Sequence, residues 1–189
     1  MEKVINTMNY NDKRFTREFY LVDALYLAKK LLGKILVFKG LRYRIVEVEA
    51  YMGINDKASH TYNNRRTNRT EAMYLEGGHV YVYFIYGMYY NMNVVANIKD
   101  IPQAVLIRGI EPLDYVEDNN GPGKLCKKLG IDKKYNMYDL VTGDEMYIID
   151  DNYEFEIVES KRINVDYAEE DKDRLWRFYI KGNKYVSKK

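Results

Sequence analysis

Apolar residues recur along most of this chain with a period of two, so the pattern predicts strands more than helices. The runs KILVFK and LRYRIVEVEAY are β-rich and separated by Gly40, which predicts a hairpin. HVYVYFIY and YYNMNVVAN flank a break at Gly87 and predict a second, aromatic hairpin. AVLIRGIEP predicts a mostly apolar strand ended by Pro112. Further strands are expected from Met146 onward, and the GN dipeptide in WRFYIKGNKYVS suggests another hairpin.

A helical period surfaces only briefly. Asp23 is placed to cap a helix whose Leu25, Ala28, Leu31 and Leu32 share one side and which stops at Gly33. GKLCKKLGI gives a second short amphipathic pattern. Residues before about 20 lack periodicity and read as a loosely held arm. The polar stretch Ala58 to Gly78, with Asn63, Asn64, Arg65, Arg66 and Arg69 and no acid until Glu71, reads as a basic surface loop. Without an internal repeat or linker, residues 1–189 are expected to form a single domain of the α+β class, strands dominating and short helices at the edges.

Composition narrows the chemistry. The 189 residues carry 30 Lys and Arg against 28 Asp and Glu, so a basic surface, if present, must be local. The longest apolar run, Val80 to Val95, is interrupted by Gly87, Asn91 and Asn93, and the N-terminus lacks a signal-peptide pattern. With Cys126 the only cysteine, no intramolecular disulfide forms and a reducing cytoplasm is the expected location. Cys126, His60 and His79 are too few and too scattered for a structural zinc site. Cys126 itself reads as core packing. The 20 tyrosines suit both sheet cores and base-stacking platforms.

Four places could carry chemistry. In RIVEVEAY, alternation turns Val46, Val48 and Ala50 one way and Glu47, Glu49 and Tyr51 the other. Two carboxylates on one face, about 7 Å apart, could seat a water or each take a cation. From spacing alone, an exposed polar face of an edge strand is the stronger reading. Arg108, the only charge in AVLIRGI, strengthens the functional one, because a buried guanidinium demands a carboxylate or a ligand; a structural salt bridge explains it equally well. His60 could return to the same site or be a satisfied structural residue. Tyr86, at the tip of the aromatic hairpin, is either an exposed ring suited to insertion between bases or one folded back on its own hairpin. In GPGKL, free backbone N–H groups at a helix start and Lys124 could grip a phosphate, although the GxxxxGK[ST] spacing of a nucleotide-hydrolysing loop is absent.

LAKKLLGKILV, RIVEVEAYMGINDKASH, RTNRTEAMY, GGHVYVYFIYGMYYNMNVV, AVLIRGIEP, NGPGKLCKKLGI and RFYIKGNKYVS together resemble the alkyladenine DNA glycosylase family, the mammalian type of 3-methyladenine DNA glycosylase. The strings keep the family's order from about residue 24 to the end. The resemblance implies a curved, mainly antiparallel sheet with short flanking helices and a protruding aromatic hairpin. It implies excision of alkylated or deaminated purines from double-stranded DNA by a monofunctional, monomeric hydrolase of base-excision repair, without cofactor, metal or membrane, in the cytoplasm with the nucleoid or in a nucleus. Glu49 matches the general base that activates water, and Arg108 the arginine that contacts water and glutamate. Tyr51, His60 and Tyr83 match residues enclosing the flipped base. Tyr86 matches the side chain that fills the vacated stack, Asn93 a pocket-floor asparagine, and Ile163 a position whose carbonyl holds the water. Arg65, Thr67, Arg69, Met73 and Lys124 fall at DNA-contacting positions. Glu47 matches no family role and is expected to tolerate change much better than Glu49.

Two departures from the family are visible, a short connector between Pro112 and Gly121 and Asn164 where glycine is common. Two other functions remain open: a non-catalytic nucleic-acid-binding module using the aromatic hairpin, and a metal-dependent nuclease using Glu47, Glu49 and Asp56.

Overall fold

The computed structural model describes residues 13–116 and 121–189. Strands β1 (Ile35–Phe38), β2 (Leu41–Tyr51), β3 (Val80–Ile85), β4 (Tyr89–Ala96), β5 (Gln103–Pro112), β6 (Met146–Ile149), β7 (Ile157–Ser160) and β8 (Arg177–Ile180) form one curled antiparallel sheet. Its main order is β3-β4-β5-β2-β1-β6, with β8 on β2 and β7 on β8. Helices α1 (Ala24–Leu31) and α2 (Pro122–Leu129) flank it, and the α+β expectation holds.

Local chemistry explains the elements. Asp23 caps α1 by accepting from the Tyr26 amide, and Ala24, Leu27, Ala28 and Leu31 form its buried side. Leu25, expected on that side, is only partly buried. The β1–β2 turn uses Lys39 and Gly40, both at positive φ, the geometry that matches the twist of a tight hairpin. Tyr86 and Gly87 do the same between β3 and β4. The hairpin suggested by the GN dipeptide is absent: the chain turns at Gly182, but β8 pairs with β7 and β2 and no strand follows. The residues after the turn are drawn instead to a buried carboxylate, the Ser187 amide donating to Glu47 Oε2 at 2.6 Å.

Alternation divides the sheet into two faces. Val46, Val48 and Ala50, Val80 and Val82, Met92 and Val94, and Val105 and Ile107 join the main core with residues of α1 and α2. Glu47, Glu49 and Tyr51, Tyr81 and Tyr83, Asn91 and Asn93, and Leu106 and Arg108 take the alternate positions. Two compensating bulges sit in the β2–β5 pair, since Ile45 and Glu47 oppose Ile110 and Gly109, whereas Glu47 and Val48 oppose Gly109 and Ile107. Val46 and Arg108 are therefore the extra residues. Such bulges re-aim side chains, and this one lets consecutive Ile45 and Val46 both enter the core while Arg108 meets Glu47.

The edge-strand expectation for Glu47 and Glu49 is overturned. β2 pairs with β5 along its length and with β1 and β8 on its other side, and both glutamates are 0% exposed. Burial of a carboxylate requires cations and donors. Glu47 accepts from Arg177 Nη1 at 2.9 Å and Arg108 Nε at 3.3 Å as well as from Ser187. It thus ties β2, β5, β8 and the C-terminal segment together, a structural role that the sequence did not signal.

The loose arm requires correction too. Residues 1–12 of it lie outside the described residues, as does 117–120 of the connector. From Phe15 on the chain is anchored: Phe15 stacks on Phe19 at 3.7 Å, Tyr20 is fully buried, and Arg17 reaches Asp139 at 2.6 Å. The basic loop is likewise only half a surface loop. Residues 62–69 are exposed, but the one-turn 3-10 segment Glu71–Tyr74 buries Ala72, Met73 and Tyr74.

A second buried ion pair closes the fold over the polar face. Arg162 donates to both oxygens of Asp56 at 2.6 and 2.9 Å and to the carbonyls of Ala50 and Asp171. Both side chains are 0% exposed, so removal of one leaves a desolvated charge unpaired. Asp56→Ala is therefore expected to cost about 3–5 kcal/mol. Asp56→Ala combined with Arg162→Met should recover part of it. Urea unfolding measures both, and an unchanged midpoint for Asp56→Ala would refute the structural role.

Candidate active site

Glu49 stands in the middle of β2, and its oxygens are reached from three directions. The Ile163 amide donates to Oε1 at 2.7 Å, the Tyr51 hydroxyl donates to Oε2 at 2.9 Å, and Arg108 Nη1 lies 3.5 Å from Oε1. Burial raises its pKa above the usual 4.5, against the opposing pull of Arg108, the Ile163 amide and the Tyr51 hydroxyl, with Glu47 adding to the rise. Arg108 is shared with Glu47, which already has Arg177. Glu49 is thus the less neutralised of the two carboxylates.

Tyr51, Arg108 and Ile163 all line a cavity of about 380 Å³, within the usual range of small-molecule sites on the order of 300–1,000 Å³. Glu49 lies directly behind this wall. Tyr83, His60, Asn93, Met73 and Lys124 also line it, so the structure brings most of the sequence-selected residues around one space. Tyr86 stands at the mouth, 73% exposed.

His60 Nδ1 is 2.9 Å from the Tyr81 hydroxyl, and its ring meets Tyr83 edge-on at 4.6 Å. Burial, followed by the charges of Arg69 and Arg65, lowers its pKa to about 4, so the imidazole is neutral near pH 7. Asn93 donates to the Tyr81 carbonyl at 3.1 Å. Asn164 adopts φ = +59°, a left-handed conformation that asparagine tolerates, which absorbs the departure from glycine beside Ile163. Ile163 presents its amide to Glu49, a contact additional to the carbonyl role that resemblance implied.

The outer candidates separate. Arg65, Thr67 and Arg69 are exposed on one loop, with the Arg69 guanidinium 5.5 Å from the centre of the Tyr83 ring. Arg66 is held by Glu71 and Asp100. Met73 differs from its neighbours: it is buried with Ala72, Tyr81, Val95 and Ala104 and belongs to the cavity wall, because its 3-10 turn points apolar residues inward. Lys124 is exposed in the first turn of α2, after Gly121 and Pro122.

Asp56, grouped with Glu47 and Glu49 as a metal site, is committed to Arg162 and to the amides of Met52 and Ala58. Among the described residues no three His, Cys, Asp or Glu side chains converge to hold a metal. Cys126 is buried in the core and its thiol is pushed up to about 12, in keeping with a packing role.

Sequence reasoning missed several members. Tyr81 and Asn91 were legible by period, each two residues before a selected residue and on the same face. Arg162, whose guanidinium lies 4.9 Å from the centre of the Tyr51 ring, had no local signal, because its partner is 106 residues away. Tyr167, 67% exposed at the cavity and donating to the Ala58 carbonyl, had none either.

A family model described as methylpurine-DNA glycosylase matches residues 18–184. A Clostridium novyi protein named "Putative 3-methyladenine DNA glycosylase" is 53% identical over 201 aligned positions, covering 94% of this chain and 100% of the relative. A Borrelia garinii protein of the same name is 52% identical, covering 92% of this chain and 99% of the relative. One from Clostridioides difficile is 44% identical over 87% of this chain and 98% of its own length.

The raised pKa of Glu49 has a consequence for stability. Its folded carboxyl holds a proton more tightly than the unfolded one, so stability falls as pH rises from the ordinary value of 4.5 through the raised value. Glu49→Gln removes that cost while keeping an acceptor for Ile163. The variant should melt at or above the wild type near neutral pH, with the difference shrinking as pH falls toward 4.5 in calorimetry. A variant that melts well below wild type at neutral pH would contradict this.

Proposed function

The chain belongs to the methylpurine-DNA glycosylase family, and from that premise we propose that it hydrolyses the N-glycosidic bond of alkylated or deaminated purines flipped out of duplex DNA. The observation that carries the reading is Glu49: a fully buried carboxylate with a raised pKa, set behind a cavity walled by its own three partners. A carboxylate accepts in about four directions, and three are taken. The fourth is assigned to the hydrolytic water.

In this mechanism the bond between the sugar C1′ and the purine nitrogen breaks, and its electron pair leaves with the base. N-alkylation makes the purine cationic, so departure needs little further assistance. Ionised Glu49 stabilises the developing positive charge on the sugar, takes a proton from water, and the water oxygen bonds to C1′. Arg108 keeps the carboxylate in place and holds its pKa below what burial alone would give. The neutral His60 serves as a hydrogen-bonding wall rather than an acid.

Extrusion of a nucleotide costs a few kcal/mol, offset by stacking in the pocket. Tyr51 and Tyr83 supply the rings, and Tyr86 takes the vacated position in the duplex. Arg65, Thr67 and Arg69 on one loop and Lys124 at the α2 start grip phosphates, giving a salt-sensitive affinity. The protein acts as a monomer without a cofactor, and its product is free base and an abasic strand.

Glu49→Gln is expected to keep duplex binding and lose base release from methylated DNA, assayed by single-turnover chromatography of the freed purines in EDTA. Release at the wild-type rate would refute the assignment of the base.

Tyr86→Ala should lower affinity and turnover on duplex roughly tenfold to a hundredfold, the worth of one lost stacking contact. Its melting temperature should barely move, since the ring stands clear of the core. A variant that melts lower yet binds and cleaves normally would show the ring to be structural.

A further inference from the structure

Among the described residues, three buried side-chain polar atoms lack a hydrogen-bond partner: Tyr20 Oη, Arg162 Nε and Asn91 Oδ1. Only Asn91 belongs to the cavity wall. Tyr20 lies in the main core, and Arg162 satisfies its two terminal nitrogens elsewhere. Leaving a buried amide oxygen unpaired is costly, so its retention at the one place where a ligand arrives calls for an explanation.

Asn91 is directly opposite Tyr83 in the β3–β4 pair, and its Nδ2 donates to the Tyr83 hydroxyl at 3.1 Å. Its residue is 5% exposed, so the amide is desolvated and its carbonyl dipole is undiluted by water. The hydroxyl of Tyr83 can satisfy one end of the amide, and the other end is left over. The torsion that orients an asparagine amide is soft, so the carbonyl can swing toward a donor on a ring seated against Tyr83. Cationic alkylpurines have polarised amine N–H groups, which make stronger hydrogen bonds to a neutral oxygen than those of an uncharged base.

We propose that Asn91 is a specificity-determining residue whose carbonyl accepts from the C6 amine of a bound alkyladenine. This rests on the glycosylase reading above and deepens it. The site would favour 3-methyladenine, whose amine is on C6, over hypoxanthine and 7-methylguanine, which carry an oxygen at C6, and over ethenoadenine, whose N6 bears no hydrogen. It works by the rule that a pocket polar group discriminates most strongly against a ligand that leaves it unpaired.

The test compares single-turnover release of the four bases by wild-type protein, Asn91→Leu and Asn91→Ala. Leucine has nearly the shape of asparagine, and alanine covers the case in which leucine does not fit. The preference for 3-methyladenine over the other three bases is expected to fall roughly tenfold or more in the variants. Asn91→Leu removes both an unsatisfied buried acceptor and the donor to the Tyr83 hydroxyl, so its melting temperature should stay close to that of wild type. An unchanged preference ratio in a folded variant would overturn the inference and leave the glycosylase reading standing. Failure of the wild-type protein to release any of the four bases would overturn that reading, and the inference with it.

Discussion

Two carboxylates buried side by side on one strand set the terms for the rest of this structure. Glu47 and Glu49 occupy successive same-face positions of β2, and both are sealed from solvent. Such a pair is tolerable only with cations and donors brought to it. Arg108 comes from the neighbouring strand through a bulge, Arg177 from β8, and the Ser187 and Ile163 amides from segments remote in sequence. The division is unequal. Glu47 takes the larger share of the guanidinium groups and becomes the knot of the fold, while Glu49 keeps one distant arginine, one amide and one phenol and so remains basic.

That inequality links stability to the proposed chemistry. The same shared arginine neutralises the structural carboxylate and steadies the reactive one, so neither can be altered in isolation. Asp56 and Arg162 repeat the arrangement one layer out, holding the turn after β2 to the segment that delivers the Ile163 amide. A basic carboxylate held in a strained electrostatic environment is a local loss of stability that the surrounding network offsets, as is common where activity needs a destabilised group.

Much of this was legible in the sequence because it is periodic. Both hairpins, α1 with its Asp23 cap, and the shared face of Glu47, Glu49 and Tyr51 follow from alternation and turn chemistry. Arg108 stood out as a lone charge in an apolar strand. What could not be read is what depends on distant partners: that β2 is flanked on both sides, that Glu47 is a structural hub, that Met73 turns inward, and that residues 13–20 are anchored by Asp139 and the core. The GN dipeptide misled for the same reason, since a local turn signal was outweighed by the pull of Glu47 on the C-terminal segment. Asn91 passed unnoticed because its significance lies in an absent partner, which no sequence pattern records.

The central claim is that burial, incompletely offset by its partners, makes Glu49 the base. Its most direct test is the pH dependence of single-turnover base release from a methylated duplex. The account predicts a rate that falls on the acid side with a midpoint above the ordinary carboxylate value of 4.5, and that same limb moved to higher pH in Arg108→Gln, which removes the strongest opposing charge. A rate independent of pH down to the ordinary carboxylate range, or a limb that Arg108→Gln leaves in place, would contradict it.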